Sequence, residues 1–301
     1  MKTVFLGSKK LGLEILSRIY QDSTAEWVVI HPDDSDDPRS NLDEFLTFTK
    51  EKNIPFYLVS NNRDAQNILL EIKPQLGLVC GWYWLISDAI LETIPGGLWG
   101  IHNSLLPKYR GGSPLVWSII NGEQIVGSSV FKLTKGMDDG DILHQVEVFL
   151  ESESNIQYAL SEIEKKLLDT LPEKWNLLLA RKAILTAQNH QEATYCGSRI
   201  PSDGQIDWSW CSERIHNFVR AQSAPYPGAF TFENDRKIII EKTKVHNGIY
   251  YGSPGQIFIK NGGVVIVACG GNTALEVMEV EVDEKMIGAA SAFKSSKQRL
   301  K

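Results

Sequence analysis

The chain has 301 residues, 43% of them apolar, with a formal net charge of -6 and a sequence pI near 5.6. That length and apolar content suit a globular molecule with a real core, in one large domain or two ordinary ones. The acidic balance argues against a basic face for DNA or RNA. The four cysteines, Cys80, Cys196, Cys211 and Cys269, are dispersed and form no CxxC pair, so neither a zinc knuckle nor a thioredoxin-type centre is indicated and reduced structural thiols are expected. No stretch approaches the ~20 apolar residues of a membrane span, and the N-terminal apolar run is too short for a signal-peptide core. A cytoplasmic chain with no membrane partner is expected.

In chain order, "TVFLG" reads as a buried strand that Gly7 ends, followed by a helix over "SKKLGLEILSRIY", whose Leu11, Leu13, Ile15, Leu16 and Ile19 recur at roughly helical spacing. "EWVVIHP" is a second strand, "NLDEFLTFTKEKN" a helix, "PFYLV" a strand, "RDAQNILLEIK" a helix and "LGLVCGW" another strand. Strands alternating with helices in this way predict a Rossmann-like α/β unit, a mostly parallel sheet with helices on both faces. In such sheets ligands sit beyond the carboxyl ends of the strands, which draws together the turns after Gly7, after Cys80 and around His102.

The stretch "GIHNSLLPKYRGG", residues 100–112, reads as a working loop, because Pro107 removes a backbone donor and its glycines are unfavourable inside regular elements. A strand at "GSSVFKLT" follows, then the acidic turn "GMDDGDIL", then a helix over "YALSEIEKKLLDTLPEKWNLLL" with a break expected at Pro172. Beyond about residue 200 the short runs "KIIIEKTKV", "GQIFIK", "GVVIVACG" and "TALEVMEVEV", punctuated by "NGG" and "GGN", predict a small antiparallel, OB-like β-barrel. The expected organisation is a catalytic domain over 1–185, a polar linker over 186–205 and the β-barrel domain over 206–301.

There is no HExxH, GxSxG or P-loop, and the first βα turn, "GSKKLG", lacks dinucleotide-binding spacing. What remains is His102 in its polar loop and the aspartates Asp138, Asp139 and Asp141 around Gly140. An imidazole and a carboxylate on adjacent loops suit acyl transfer, one shuttling a proton and the other tuning it. A lone histidine in a Pro/Gly loop is more often structural than catalytic, and an Asp-Asp-Gly-Asp turn is more often a solvated turn or a helix cap. Calcium is disfavoured by the absent DxDxDG spacing, and no metal is expected.

"GIHNSLLPKYRGGSPLVWSIINGE" followed by "GMDDGDIL" resembles the signature of the folate-dependent N-formyltransferases, Asn-x-His-x-Ser-Leu-Leu-Pro and then an aspartate two positions before a glycine, which Asp138 fits. "EATYCGSRIPSDGQIDW" and "VRAQSAPYPGAF" resemble the linker and C-terminal barrel shared by the methionyl-tRNA and the nucleotide-sugar members of that family, so the resemblance covers nearly the whole chain. It implies N10-formyltetrahydrofolate as co-substrate and attack by a primary amine on the formyl carbon. It gives His102 the role of stabilising the oxyanion or donating a proton. Asp138 would orient His102, assist proton removal and stand beside the folate, and Trp84, Leu85 and Ile86 would line the pterin pocket.

One position departs from the pattern: Gly100 stands where the family has its asparagine, a donor to the developing oxyanion. Loss of one such donor typically lowers the rate ~100- to 1,000-fold. Three readings follow: Asn103 substitutes, the acyl donor differs, or the chain is a non-catalytic folate- or nucleotide-binding homologue.

The acceptor is argued from charge. "HPDDSDDPRSNLDE" carries six carboxylates against one arginine, which disfavours tRNA at that loop. A nucleotide-linked amino sugar needs only a few cations and a stacking surface, and Ser8 and Lys9 after the first strand, or Lys108, Tyr109 and Arg110 on the loop, would supply them. Methionyl-tRNA is the alternative acceptor, and a β-rich C-terminal domain offers an edge for a homodimer.

Overall fold

The computed structural model describes residues 1–21 and 23–301. The first element is strand β1 (Lys2–Gly7), followed by helix α1 (Lys9–Gln21), β2 (Glu26–Pro32), α2 (Leu42–Glu51), β3 (Phe56–Val59), α3 (Asn62–Ile72), β4 (Leu76–Cys80), α4 (Asp88–Leu91) and β5 (Leu98–His102). A two-residue strand β6 (Arg110–Gly111), helix α5 (Pro114–Ile120), strands β7 (Ile125–Lys132) and β8 (Ile142–Phe149) and the long helix α6 (Ile156–Leu179) come next. The seven-stranded sheet has the order β3-β2-β1-β4-β5-β7-β8. The pairs β2–β3, β1–β2, β1–β4 and β4–β5 are parallel, and β7 runs antiparallel to β5 with His102 opposite Ser129.

Alternation along β1 shows why both faces are covered. Val4 and Leu6 pack in one buried cluster with Ala65 and Leu69 of α3, whereas Phe5 packs on Phe45 of α2 at a ring separation of 5.8 Å. Successive side chains of a strand point to opposite faces, so one apolar run serves two helical layers. The strand order reverses between β1 and β4, which makes the turns after them the switch point of the sheet. There the Ser8 N–H donates to the Cys80 carbonyl oxygen at 3.1 Å. Glycine at position 7 permits that approach, because a Cβ there would run into the same carbonyl.

The second half is β-rich: β9 (Tyr195–Cys196), α7 (Ser212–Arg220), β10 (Ala229–Glu233), β11 (Arg236–His246), β12 (Ile257–Ile259), β13 (Val265–Ala268), β14 (Ala274–Val282) and β15 (Lys285–Gly288). Strands β10-β11-β14-β13-β12 form an antiparallel sheet, with β15 pairing β14. A mostly parallel sheet with helices, followed by an antiparallel sheet, is the architecture expected from the sequence. By compactness the chain divides into one unit of residues 1–111, 127–147 and 162–195 and a second of 112–126, 148–161 and 196–301.

Three local expectations change. Gly100, Ile101 and His102 finish strand β5 instead of belonging to a loop, since Gly100 and His102 pair across to Phe131 and Ser129. The segment after the acidic turn forms strand β8 at the sheet edge. Helix α6 runs straight through Pro172. Leu167, Leu171 and Trp175 lie on one stripe at 0% exposure, and Trp175 stacks on Trp27 at 6.2 Å. Burial of that stripe outweighs the ~3 kcal/mol that an interior proline costs a helix.

Candidate functional site

His102 closes β5 at 9% exposure. Its Nε2 lies 2.7 Å from the Tyr109 carbonyl oxygen. A carbonyl only accepts, so Nε2 carries the hydrogen and donates, and Nδ1 is left as the ring atom available for chemistry. Nδ1 faces the Asp138 carboxylate, with Oδ2 at 3.7 Å. That is too long for a hydrogen bond, and it lies within ion-pair distance when the ring carries a second proton. The two residues that the sequence singled out are therefore brought together. Neither Asp139 nor Asp141 shares this position: Asp139 accepts from the Thr134 hydroxyl, and the Asp141 carbonyl receives the Lys132 N–H.

The Asp138 turn has a demanding backbone. Asp138 sits at φ +50, a left-handed conformation that aspartate tolerates better than most residues. Two residues on, Gly140 passes so close to the Lys132 carbonyl that a Cβ would collide with it. The carboxylate is fixed by the Gly111 N–H, which donates to Oδ2 at 2.8 Å. With 24% of its side chain exposed, Asp138 stays within reach of solvent.

Beside the pair, a Cβ at Gly100 would stand 2.9 Å from Leu133 Cδ2 and 3.3 Å from Phe131. The space that an asparagine side chain would enter is thus lined by the end of a leucine. Asn103, the suggested substitute, has its side-chain oxygen buried with no hydrogen-bond partner among the described residues. An unpaired buried acceptor costs about 1–3 kcal/mol, so this oxygen has capacity left for one more hydrogen bond.

The pterin-pocket candidates follow β4. Trp84 meets Trp82 edge to face at 5.1 Å, and Trp84 and Ile86 pack against the buried cluster of β1 and α3. Leu85 is 91% exposed, and its carbonyl accepts from Asn62 Nδ2 at 2.7 Å. The segment lies outside helix and strand, and none of the backbone N–H groups of Trp84, Leu85 and Ile86 donates to the backbone of another described residue. A row of open main-chain donors beside aromatic side chains suits a flat heteroaromatic ring rich in acceptors.

The cations expected to hold phosphate are placed differently. Ser8 is wholly buried and donates its hydroxyl to the Gly81 carbonyl oxygen, so it has no donor to offer a ligand. Lys9 Nζ lies 2.8 Å from both Asp34 and Asp37. Burial alone would lower its pKa, but the hydrogen bonds to Asp34, Asp37 and Tyr83 outweigh that and raise it. Arg110 is 2% exposed and points inward, its Nη2 donating to Gln188 Oε1 at 2.6 Å. Burial, and the pairing of Lys9 with an acidic loop some 25 residues away, explain these placements, and neither is visible in a turn sequence. Lys108 is exposed on the surface and Tyr109 half-buried.

Sequence reasoning missed Gln188, Gly111 and Leu133. A lone glutamine in a polar segment, a glycine used for its N–H and a leucine filling a space carry no motif. Among the described residues there is no group of three His, Cys, Asp or Glu side chains arranged to hold a metal ion, and no helix is long and apolar enough to cross a membrane.

A family model described as formyl transferase matches residues 3–172, and one described as formyl transferase, C-terminal domain, matches residues 200–298. The chain is 29% identical over 287 residues to a methionyl-tRNA formyltransferase of Caldanaerobacter subterraneus subsp. tengcongensis, covering 93% of this chain and 92% of that one. It is 30% identical over 277 residues to the bifunctional polymyxin resistance protein ArnA of Wigglesworthia glossinidia brevipalpis, covering 91% of this chain and 40% of that one. Among solved structures it is similar to the sugar 3N-formyl transferase WlaRD, crystallised with dTDP and 5-N-formyl-THF, at a TM-score of 0.69 and 19% identity, over 92% of this chain and 97% of that one. An N-formyltransferase from Helicobacter canadensis, in complex with folinic acid and dTDP-3-aminofucose, gives a TM-score of 0.68 and 16% identity, over 92% and 98% of the two chains. At those identities the structural likeness speaks to the fold.

Proposed function

This chain belongs to the formyl transferase family, and from that premise we propose that it moves a formyl group from N10-formyltetrahydrofolate to the amine of a nucleotide-linked amino sugar in the cytoplasm. The observation that carries the reading is the His102–Asp138 pair, Nδ1 to Oδ2 at 3.7 Å, at the end of β5. The folate supplies a formyl group bound to nitrogen. Trp84, Leu85 and Ile86 hold the pterin through their open backbone, and the acceptor's diphosphate lies against Lys108 and Tyr109.

The pair's geometry sets its roles. With Nε2 committed to Tyr109, Nδ1 is the ring atom that gives or takes a proton, and a protonated ring offsets the charge growing on the formyl oxygen as the acceptor nitrogen attacks. The Asp138 carboxylate stabilises that imidazolium and takes the acceptor's proton through water. A new C–N bond forms at the formyl carbon, the bond to the donor nitrogen breaks, and that nitrogen leaves with the proton of the His102 ring, which the proton taken up by Asp138 then replaces. Position 100 adds no side-chain donor; Asn103, with its unpaired amide oxygen, orients the attacking amine by accepting one of its hydrogens.

Charge supports the sugar-nucleotide acceptor over tRNA. Lys9 is neutralised by Asp34 and Asp37. In the C-terminal sheet Lys242 stands opposite Glu279 and Lys244 opposite Glu276, so the lysines of β11 face acidic residues across the strand pair. Methionyl-tRNA remains the second reading because a methionyl-tRNA formyltransferase matches along nearly its whole length. Incubation with formyltetrahydrofolate and a panel of nucleotide amino sugars, read by the mass of the formylated product, tests the proposal. Formylated sugar supports it, and formylation of methionyl-tRNA alone overturns it. A salt titration adds a check, since tRNA binding weakens steeply with ionic strength and a diphosphate contact does so mildly.

A further inference from the structure

Residues 109–111 touch both members of the pair: the Tyr109 carbonyl accepts from His102 Nε2 at 2.7 Å, and the Gly111 N–H donates to Asp138 at 2.8 Å. The residue between them, Arg110, sends its side chain into the protein, where Nε and Nη2 donate to Gln188 Oε1 at 3.1 and 2.6 Å. Gln188 is 6% exposed. Its Nε2 donates to the carbonyl oxygens of Asp138 at 2.8 Å and Gly140 at 2.7 Å. One amide thus grips the histidine's supporting loop through its oxygen and both shoulders of the aspartate turn through its nitrogen.

We infer that Gln188, acting with Arg110, is a positioning residue for formyl transfer, a clamp that sets the gap between His102 and Asp138. The inference rests on the formyl-transfer reading of that pair. Three features support it. Asp138 sits at φ +50, a conformation that persists only when its surroundings hold it. Only an amide fits the position: it must accept from a guanidinium on one side and donate to two carbonyls on the other, which neither a carboxylate nor an apolar side chain does. The loop that carries Arg110 is itself fixed, since the Arg110 N–H donates to the Thr194 carbonyl at 2.8 Å and the Tyr109 N–H to the Thr194 hydroxyl at 2.8 Å. Loosening the amide therefore frees the aspartate turn against a stationary histidine.

The test is Gln188→Glu, which keeps the acceptor for Arg110 and removes both donors to the turn, with Gln188→Ala as the second variant. Each is measured for kcat and both KM values, and for the ring 15N resonances of His102, assigned by their loss in His102→Asn. A displacement of about 1 Å costs on the order of 100-fold in rate. The expected result for Gln188→Glu is a kcat lowered by about 30- to 100-fold, KM values within about threefold, and His102 ring shifts displaced in a protein that melts cooperatively. Unchanged kcat with unchanged ring shifts overturns the inference, as does a fall in kcat that only tracks the folded fraction. If the unaltered protein formylates no acceptor, the functional reading fails, and the ring shifts alone decide the clamp: displaced in Gln188→Glu supports it, unchanged overturns it.

Discussion

Two charged corners lie at the ends of strands in the N-terminal unit, and they are built on opposite plans. At the end of β1, Lys9 is held 2.8 Å from both Asp34 and Asp37, and the Tyr83 hydroxyl donates to the same carboxylates at 3.1 and 3.3 Å. At the end of β5, His102 and Asp138 stand 3.7 Å apart, each anchored by a backbone group and neither saturated by the other. A cation with two carboxylates at contact distance has spent its charge on holding a loop. A pair held just beyond hydrogen-bond length keeps its capacity to move a proton. Charge in a sequence is thus a poor guide to a site until its partners are known.

The comparison breaks most visibly on activity. His102→Ala should lower kcat about 100- to 10,000-fold and, through the hydrogen bond lost to the Tyr109 carbonyl, cost about 1 kcal/mol of stability, whereas Lys9→Met should leave kcat within about threefold. The same two variants should exchange places in stability: Asp34 is 7% exposed, and stripping its cation leaves a buried charge unpaired at a cost of about 3 kcal/mol, read by denaturant unfolding. Replacing Asp34 by Asn in the Lys9→Met background should recover part of that loss.

Acid titration sharpens the contrast. Burial tends to raise the Asp34 pKa, but hydrogen bonds from Lys9 and Ser40 bring it below the usual carboxylate range, and Arg39 with Lys9 holds Asp37 lower still. Carboxylates depressed in the folded state bind fewer protons than in the unfolded chain, so they add stability above about pH 4 and lose it as pH falls through their folded values. Unfolding free energy should therefore drop on acidification below about pH 4, and less steeply in Lys9→Met.

A smaller effect concerns position 100. Gly100→Asn alone should change kcat by less than about threefold, because Leu133 Cδ2 lies 2.9 Å from where its Cβ would stand. Combined with Leu133→Ala, the added donor should raise kcat about tenfold, a fraction of what an oxyanion donor gives in a preformed site. No gain in the double variant would show that the oxyanion lies elsewhere.

Much of this was legible in the residues. Strand β2 occupies the stretch "EWVVIHP" that apolar content marks out, and the histidine and aspartate of the motif do meet. What sequence reasoning missed has physical causes. Strand β8 carries His144 and Gln145 in its middle, which blurs the apolar alternation that announces a strand. Pro172 carries a strong local signal that Trp175 and Leu171 override through burial. Ser8 and Arg110, polar residues in turns, suggested exposure, yet tertiary partners took them inside. Gln188 was legible only as one more polar residue in a connecting stretch; the role inferred for it is a matter of four distances.

The most direct test is a double-mutant cycle on kcat/KM for formyl transfer, using His102→Ala, Asp138→Ala and the two together. Residues that act as one unit lose the same function once, so the account predicts a double variant about as slow as the slower single one. Losses that multiply, each variant lowering kcat/KM by its own factor regardless of the other, would contradict a coupled His102–Asp138 site.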